Sequence, residues 1–129
     1  MKSILLVDDE TVISAELQRR LRRFKFRVER ASTLEKALCV AQRSQFDGVL
    51  LEFNLQSECE SDPRTGAGLE LLRQLRARGM RMPILILTAM EGALYEEASL
   101  EAGADDFILK TDGISHLLRR LDAHLDGRE

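Results

Sequence analysis

The chain alternates short apolar runs with helical patterns along its whole length. The runs, which predict strands, lie at 3–7, 26–30, 48–52, 84–87 and 107–109. Each is followed by a segment with apolar residues at helical spacing, so the pattern predicts five β–α units in succession. The run at 26–30 alternates apolar with polar residues, which favours a half-exposed edge strand. Apolar strands separated by helices are typical of a parallel sheet covered on both faces, and therefore predict a three-layer α/β sandwich.

The helices are predicted from their apolar stripes and their end signals. The first helix has a stripe at spacings of four, four and three, formed by Ile13, Leu17, Leu21 and Phe24. This spacing places all four residues on the core face. Ser32 or Thr33 is the predicted N-cap of the second helix. Gly79 and Gly103 are the predicted ends of the third helix and of a fourth helix at 92–102.

One connection breaks the alternation. Residues 56–68 are polar and rich in turn formers. The segment is longer than the two to six residues usual between strand and helix, which predicts an exposed loop. Its GAG triplet follows a loop rather than a strand and lacks a third glycine, so it is not a dinucleotide fingerprint. Cys59 is assigned to this loop and Cys39 to the core.

Composition limits the class of protein. A chain of 129 residues, 44% hydrophobic and 32% charged, predicts a single globular domain over 1–129. The net charge of −3 gives no general attraction to nucleic acid or membranes. No apolar run approaches the roughly 18 residues of a membrane span. The start lacks a signal-peptide pattern and the two cysteines fit no disulfide framework, which together predict a cytoplasmic protein.

Polar residues follow the apolar strands at one edge of the predicted sheet. They are Asp8, Asp9, Glu52, Thr88 and Lys110. Any one of them could simply end a strand, but ligands in such folds bind at the carboxyl ends of the strands. Three neighbouring carboxylates repel one another and need a cation, and oxygen ligands favour Mg²⁺. A lysine and a hydroxyl opposite them suit a phosphoryl group.

These motifs resemble the receiver domain of two-component response regulators over essentially the whole chain. The resemblance rests on the acids of LLVDDE and VLLEFNL, on Thr88 in ILILTAM and on Lys110 in GADDFILK. It implies a flavodoxin-like fold with strand order 2-1-3-4-5. It also implies a non-enzymatic role in a phosphorelay.

The resemblance further implies a metal site. Mg²⁺ would be held by Asp8, Asp9, the acid at Glu52 and the backbone carbonyl of Asn54. A weakened or absent metal site is also compatible with the sequence, because the acid of the third strand is unusual.

The resemblance also implies a phosphoryl switch. A histidine kinase would transfer a phosphoryl group to the acid at Glu52, and Thr88 and Lys110 would bind the phosphoryl oxygens. Phe107 would be the switching aromatic, whose inward turn follows the movement of Thr88.

The chain departs from the family at the acceptor itself. The family has Asp where this chain has Glu52. The nucleophile must lie about 3–3.5 Å from the phosphorus, and one methylene displaces the carboxylate by ~1.5 Å. Ordinary phosphorylation at Glu52 is therefore not expected. Thr111 also replaces the family's proline after Lys110, and a trans peptide is predicted there because a non-proline cis bond costs ~3 kcal/mol.

Three functions stay open at this point. The first is a conventional phospho-switch that uses Glu52. The second is a receiver-like interaction module, in which Glu52 either replaces the phosphoryl signal or leaves the site inert. The third is a small α/β enzyme or a nucleotide- or flavin-binding protein. It has the least support, because no phosphate-cradling glycine loop follows the first strand and no nucleophile–base pair is visible.

Two charged surfaces point to partners. The first helix and the strand after it carry a basic series of Arg19, Arg20, Arg22, Arg23, Lys25, Arg27 and Arg30. The resemblance implies that this helix docks a histidine kinase or phosphotransfer protein, and no direct nucleic acid binding is expected. A weak homodimer is predicted through the fourth helix, fifth strand and fifth helix, because opposite charges on neighbouring elements can pair across a two-fold axis. The charged residues are Glu96, Glu97, Glu101, Asp105, Asp106, Arg119 and Arg120.

Overall fold

The structure, a computed structural model, describes residues 1–24, 26–55, 66–89 and 92–126. The strands are β1 (Ser3–Val7), β2 (Arg27–Ala31), β3 (Gly48–Glu52), β4 (Ile84–Thr88) and β5 (Asp106–Leu109). The helices are α1 (Thr11–Arg23), α2 (Leu34–Arg43), α3 (Gly66–Ala77), α4 (Ala93–Glu101) and α5 (Ile114–Asp126). All strand pairs are parallel and their order is β2-β1-β3-β4-β5. The predicted fold class and strand order are confirmed.

The core consists of two layers of buried side chains, one on each face of the sheet. Alternate residues of a strand face opposite layers: Ile86 of β4 packs with α2 and α3, whereas Leu85 and Leu87 pack with α1 and α5. Both layers are made mainly of leucine, isoleucine, valine and alanine. This two-sided burial explains why β1, β3 and β4 are continuous apolar runs.

The strand β2 lies at one edge of the sheet, as its alternation predicts. Arg27 and Glu29 are exposed, whereas Val28 packs against the core and Ala31 is buried. The strand covers 27–31 rather than 26–30. At the other edge, β5 begins one residue before its predicted start, so that Asp106 belongs to the strand.

The placement of Phe24 in the core was wrong. The helix α1 ends at Arg23, and the backbone N–H of Phe24 donates to the carbonyl oxygens of Arg20 and Leu21 as the helix closes. Its side chain is 59% exposed. Phe26 packs against the α1–α5 layer, so a different aromatic residue covers this end of the core.

The placement of Cys39 in the core was also wrong, since its side chain is exposed. The buried stripe of α2 includes Ala37 and Val40, and Cys39 lies between these positions on the outer face. The helix begins as predicted: the Thr33 hydroxyl accepts a hydrogen bond from the Lys36 N–H at 3.2 Å.

The predicted loop at 56–68 is too long at its end, because α3 begins at Gly66. Residues 56–65, including Cys59, lie outside the described residues. Gly68 has a packing role: a Cβ there would lie 2.5 Å from the carbonyl oxygen of Phe53 and 2.6 Å from that of Glu52. The GAG triplet therefore allows α3 to approach the end of β3 closely. The helix α4 also begins and ends one residue inside its predicted range.

Arg76 connects the end of α3 to β4 and to the segment before β5. Its guanidinium donates to the carbonyl oxygens of Gly103, Met80 and Met82 and to the Asp105 carboxylate, at 2.7–2.9 Å. Asp105 in turn accepts a hydrogen bond from the Ile84 N–H. This network fixes the amino-terminal edge of the sheet, away from the polar strand ends.

In the described part of the chain, no helix is long and apolar enough to cross a membrane.

Candidate functional site

The strand register brings the predicted site residues to one edge of the sheet. Val7 at the end of β1 is paired with Leu51, so Asp8 follows beside Glu52. Glu52 is paired with Leu87, and Thr88 with Leu109, so Lys110 follows the last strand at the same edge. Lys110 opens a short 3₁₀ turn that ends at Asp112.

Glu52 forms an ion pair with Lys110. The carboxylate is 4% exposed, and its Oε2 lies 2.5 Å from the Lys110 Nζ. The contact is an ion pair rather than a well-aligned hydrogen bond. The backbone N–H of Asn54 also donates to the carboxylate. The acid therefore turns into the site, toward the cation, and not toward solvent.

Asp8 supplies a second buried carboxylate. Its side chain is fully buried, and its Oδ1 accepts a hydrogen bond from the Glu10 N–H at 2.9 Å. Its Oδ2 lies 3.9 Å from the Lys110 Nζ and has no hydrogen-bond partner among the described residues. Two buried acids thus share one ammonium group, and the centre of the site keeps excess negative charge.

The protonation equilibria follow from this arrangement. Burial raises the pKa of the Glu52 carboxyl, and Asp8 adds to the rise while Lys110 opposes it. For Lys110, burial lowers the pKa, but the carboxylates of Glu52, Asp8 and Glu10 outweigh burial and raise the pKa. Lys110 therefore remains an ammonium ion at neutral pH.

Thr88 and Phe107 lie on the other face of the sheet from the ion pair. The alternation of β4 puts Thr88 with Ile84 and Ile86, which face the α2–α3 layer. Phe107 is half-buried against the same layer. Thr88 is fully buried. The two predicted switch residues therefore share a face of neighbouring strands.

Two of the predicted metal ligands converge on the lysine of the site. Asp8 and Glu52 converge on Lys110, and Asp9 directly follows Asp8 and is half-buried. The fourth predicted ligand is the backbone carbonyl of Asn54, and the exposure of the Asn54 side chain does not bear on it. Within the described ranges, no three His, Cys, Asp or Glu side chains are arranged to hold a metal ion. The oxygen donors suit Mg²⁺ chemically, but the ammonium contacts Glu52 where a metal would need its oxygen. As arranged, the residues do not fit Mg²⁺.

Two contacts at the site were missed by the sequence reasoning. Glu10 Oε1 lies 3.9 Å from the Lys110 Nζ. Glu10 is the third acid of the DDE triplet, and its place beside Asp8 and Asp9 could have indicated this contact. Phe53 makes an edge-to-face contact with Tyr95 of α4, with ring centroids 5.4 Å apart. That contact joins the residue after Glu52 to α4, and neither aromatic belongs to a motif that would have indicated it.

The acids of GADD are both engaged within the chain. Asp105 binds Arg76, and Asp106 accepts hydrogen bonds from Arg120 at 2.6 and 2.7 Å. His124 Nε2 lies 3.0 Å from the Asp106 carboxylate. These two acids are therefore committed to contacts inside the domain rather than across a two-fold axis.

The sheet is parallel in this order, one acid follows β1, another ends β3, and both face a lysine that follows β5. This is the architecture of phosphorelay receivers. The family model for the response regulator receiver domain matches residues 4–122. The chain belongs to this family.

Individual relatives agree with this assignment. The response regulator MprA of Mycobacterium leprae is 37% identical over 122 residues, which is 95% of this chain and 50% of that protein. The chain thus spans about half the length of the curated relatives it matches. The BeF3-activated N-terminal receiver domain of Klebsiella pneumoniae RstA is 31% identical, with a TM-score of 0.85 over 98% of this chain and 99% of that one. A CheY-like receiver domain from Methanospirillum hungatei is 28% identical, with a TM-score of 0.85 over 98% and 95%.

The membership settles the general role. The chain is a receiver domain of two-component signalling, and such domains are in general signalling modules rather than enzymes. Response regulators interact with histidine kinases or phosphotransfer proteins, and receiver domains typically bind Mg²⁺ at the phosphorylation site.

Proposed function

We propose that this chain is an atypical receiver domain in which the Glu52–Lys110 ion pair replaces the phosphoryl signal. The observation that supports the proposal is the 2.5 Å contact between Glu52 Oε2 and Lys110 Nζ. In the family, the lysine binds the phosphoryl group on the acceptor. Here the longer acid reaches the lysine by itself, so the domain is held partly in an active-like state without phosphorylation.

The strength of this replacement is limited by charge. A carboxylate carries one negative charge, whereas a phosphoryl group carries about −1.5 to −2. A difference of ~1.4 kcal/mol in free energy shifts a two-state population tenfold. Partial activation is therefore the expected level. Asp8 and Glu10 weaken the replacement further, since they share the same ammonium.

The metal is not required for this function. We propose that Mg²⁺ binds weakly or not at all to the parent chain, because Lys110 already neutralises part of the charge of Asp8 and Glu52. By the family pattern, any Mg²⁺ that does bind would also be held by Asp9 and the backbone carbonyl of Asn54. Titration of Mg²⁺ followed by NMR would measure this affinity.

The proposal is tested by removing the ion pair and measuring whether the unphosphorylated chain loses its active-like population. Glu52→Gln removes the charge and keeps the length, and should move the backbone NMR signals of Thr88 and Phe107 as the active-like population falls. Lys110→Gln should move the same signals in the same direction. As a matched control, Glu29→Gln changes an exposed acid on the edge strand β2 and should leave these signals in place.

If Glu52→Gln leaves the Thr88 and Phe107 signals and partner binding unchanged, the replacement proposal is wrong. The chain would then be a receiver-like interaction module with an inert site. In such a module, the Glu52–Lys110 ion pair would stabilise the fold without setting the signalling state.

The exposed surface of α1 is the proposed docking site for a partner protein. We propose that a histidine kinase or phosphotransfer protein docks there, attracted by exposed arginines such as Arg19, Arg22 and Arg23. A direct role in nucleic acid binding is not proposed. The cytoplasm is the proposed location, and residues 1–129 are proposed to act as one receiver unit.

A weak homodimer through α4, β5 and α5 is the proposed assembly. Asp106 and Arg120 pair within the domain, which leaves mainly Glu96, Glu97 and Arg119 to pair between copies. Exposed ion pairs contribute about 0–1 kcal/mol each, so the dimer should be weak. A monomer in sedimentation at high concentration and low salt would contradict it.

A further inference from the structure

A contact between two aromatic rings joins the end of β3 to α4. The rings of Phe53 and Tyr95 meet edge to face, with centroids 5.4 Å apart and an angle of 89° between their planes. Aromatic pairs favour this geometry, because the positive edge of one ring faces the negative face of the other. Both side chains are half-buried, and Phe53 also packs against the α2–α3 core layer. The contact therefore connects the residue next to Glu52 with a helix outside the candidate site.

Tyr95 is the main anchor of α4 on the domain. The structure describes this helix over its full length, and its two leucines, Leu94 and Leu100, are exposed. The side chains of the helix and its C-cap that are buried or half-buried are those of Tyr95, Ala98, Ser99 and Ala102. Their spacing places them on one face, and Tyr95 is the one large side chain among them. The position of α4 therefore depends strongly on what Tyr95 packs against.

The Glu52 carboxylate holds one side of the peptide unit that follows Phe53. The N–H of this peptide belongs to Asn54 and donates to the carboxylate. The carbonyl oxygen of the same peptide, that of Phe53, faces Gly68 of α3, where a Cβ would lie 2.5 Å away. The preceding N–H, that of Phe53, donates to the Leu87 carbonyl oxygen at 2.8 Å. Of these three contacts, the one to the carboxylate changes with the state of residue 52.

A change at the carboxylate therefore acts on the Phe53 ring. A charged acceptor holds an N–H more strongly than a neutral one. When the carboxylate is neutralised or moved, the peptide after Phe53 is released on one side, while β4 and Gly68 keep their contacts. The Cα of Phe53 lies between the released and the retained contacts, so its ring turns against Tyr95.

We propose that Phe53 and Tyr95 transmit the state of residue 52 to α4, as a second route beside Thr88 and Phe107. Tyr95 is a positioning residue in this route, because it acts on α4 through its contact with Phe53. The inference rests on the proposed function for the two states of Glu52. The route through the two rings is a separate claim, and it concerns a helix whose outer side is free to bind a partner.

The experiment compares the response of α4 to Glu52→Gln with and without the second ring. Backbone NMR signals of α4, such as those of Ala98 and Leu100, are measured in the parent chain and in Glu52→Gln. The same pair is then measured in a Tyr95→Leu background. Each background is compared with its own Glu52→Gln variant, so the direct effect of the lost ring on the signals cancels. The α4 signals should move in the parent background, and in Tyr95→Leu the movement should be at least about twofold smaller.

Three further backgrounds separate transmission from folding. Phe53→Leu should cause the same loss of response from the β3 side, and it carries the test if Tyr95→Leu unfolds α4. Tyr95→Phe keeps the ring and should keep the full response. Leu94→Ser changes an α4 side chain that is 79% exposed and should also keep the full response. Urea unfolding of each variant checks that the domain remains folded.

Two outcomes would overturn the inference. One is an α4 response to Glu52→Gln that is as large in Tyr95→Leu and Phe53→Leu as in the parent background. The other is the absence of any α4 response in the parent background. Failure of the proposed function has a different signature, in which the Thr88 and Phe107 signals stay in place while the α4 signals still move through Tyr95. The two failures are therefore distinguished by which set of signals responds.

Discussion

Glu52 and Lys110 meet across the end of β4, although their strands are not neighbours in the sheet. Glu52 ends β3 and Lys110 follows β5, and the 2.5 Å contact between Oε2 and Nζ passes over the strand between them. The contact needs two long side chains that extend toward each other. An aspartate at position 52 would be shorter by about one bond, ~1.5 Å.

Lys110→Met should destabilise the domain. The variant leaves the buried carboxylates of Glu52 and Asp8 without a cation, and breaking a buried pair costs about 3–5 kcal/mol. Because Lys110 remains partly exposed, about 2–3 kcal/mol is expected. Urea unfolding would measure the change, with Lys36→Met as an exposed control that should stay within about 0.5 kcal/mol.

A double variant checks the source of that loss. Glu52→Gln together with Lys110→Met should recover part of the stability, because one buried charge is removed. If the stability losses of Glu52→Gln and Lys110→Met simply add in the double variant, the ion pair does not stabilise the fold.

Glu52→Asp should permit labelling by acetyl phosphate in the presence of Mg²⁺, whereas the parent chain should not be labelled. The shorter acid withdraws from Lys110 and restores the length that the family uses for in-line attack. A misplacement of about 1 Å can cost a hundredfold in rate, so the difference should exceed that factor. Mass spectrometry of the intact protein measures the added phosphoryl group.

Glu52→Asp also has a clear negative control. Glu52→Asp combined with Asp8→Asn should lose the labelling, because it removes the buried acid beside the acceptor. Labelling of the parent at the rate of Glu52→Asp would contradict the proposed replacement of the phosphoryl signal.

Asp106 should contribute stability that is lost in acid. Burial alone would raise the pKa of Asp106, but hydrogen bonds from Arg120 and His124 outweigh burial and hold the pKa below its usual 3.8. A carboxyl with a lowered pKa stabilises the folded state fully above pH 3.8 and loses this contribution as the pH falls below it. Urea unfolding between pH 3 and 7 should show that loss.

Asp106→Asn removes this pH dependence and should cost about 1.5–3 kcal/mol at pH 7, the usual range for hydrogen bonds to charged groups. Asp122→Asn, on the exposed side of α5, is the matched control. An equal acid sensitivity of Asp106→Asn and the parent would exclude Asp106 as its source.

Gly68→Ala should shift the end of β3. The added Cβ would lie 2.5 Å from the Phe53 carbonyl oxygen, so α3 must move away from the strand. Overpacking of this kind costs about 1–3 kcal/mol, and NMR signals of Glu52 and Phe53 should move with it. Gly79→Asn is a suitable control, because nothing lies within 4 Å of that position and asparagine tolerates its positive φ of 82°. Unchanged signals in Gly68→Ala would show that α3 does not hold the site.

The sequence by itself determined the architecture. Five apolar runs and five helical stripes specify β–α units, and burial of both sheet faces leaves few ways to arrange them. It also placed Asp8, Glu52, Thr88 and Lys110 at one edge, because parallel strands end together. These features are local in sequence, or follow from a repeated local pattern.

The tertiary structure alone decided which of these residues touch. Glu52 and Lys110 are 58 positions apart, and only the packing of β4 between their strands sets the gap that their side chains close. The exposure of Phe24 could not be read from the sequence either, because its spacing fits the core stripe of α1. In the structure α1 ends before Phe24 and Phe26 packs against this part of the core, so Phe24 is left exposed. Periodicity defines a face, but contacts between distant elements decide which positions on that face are covered.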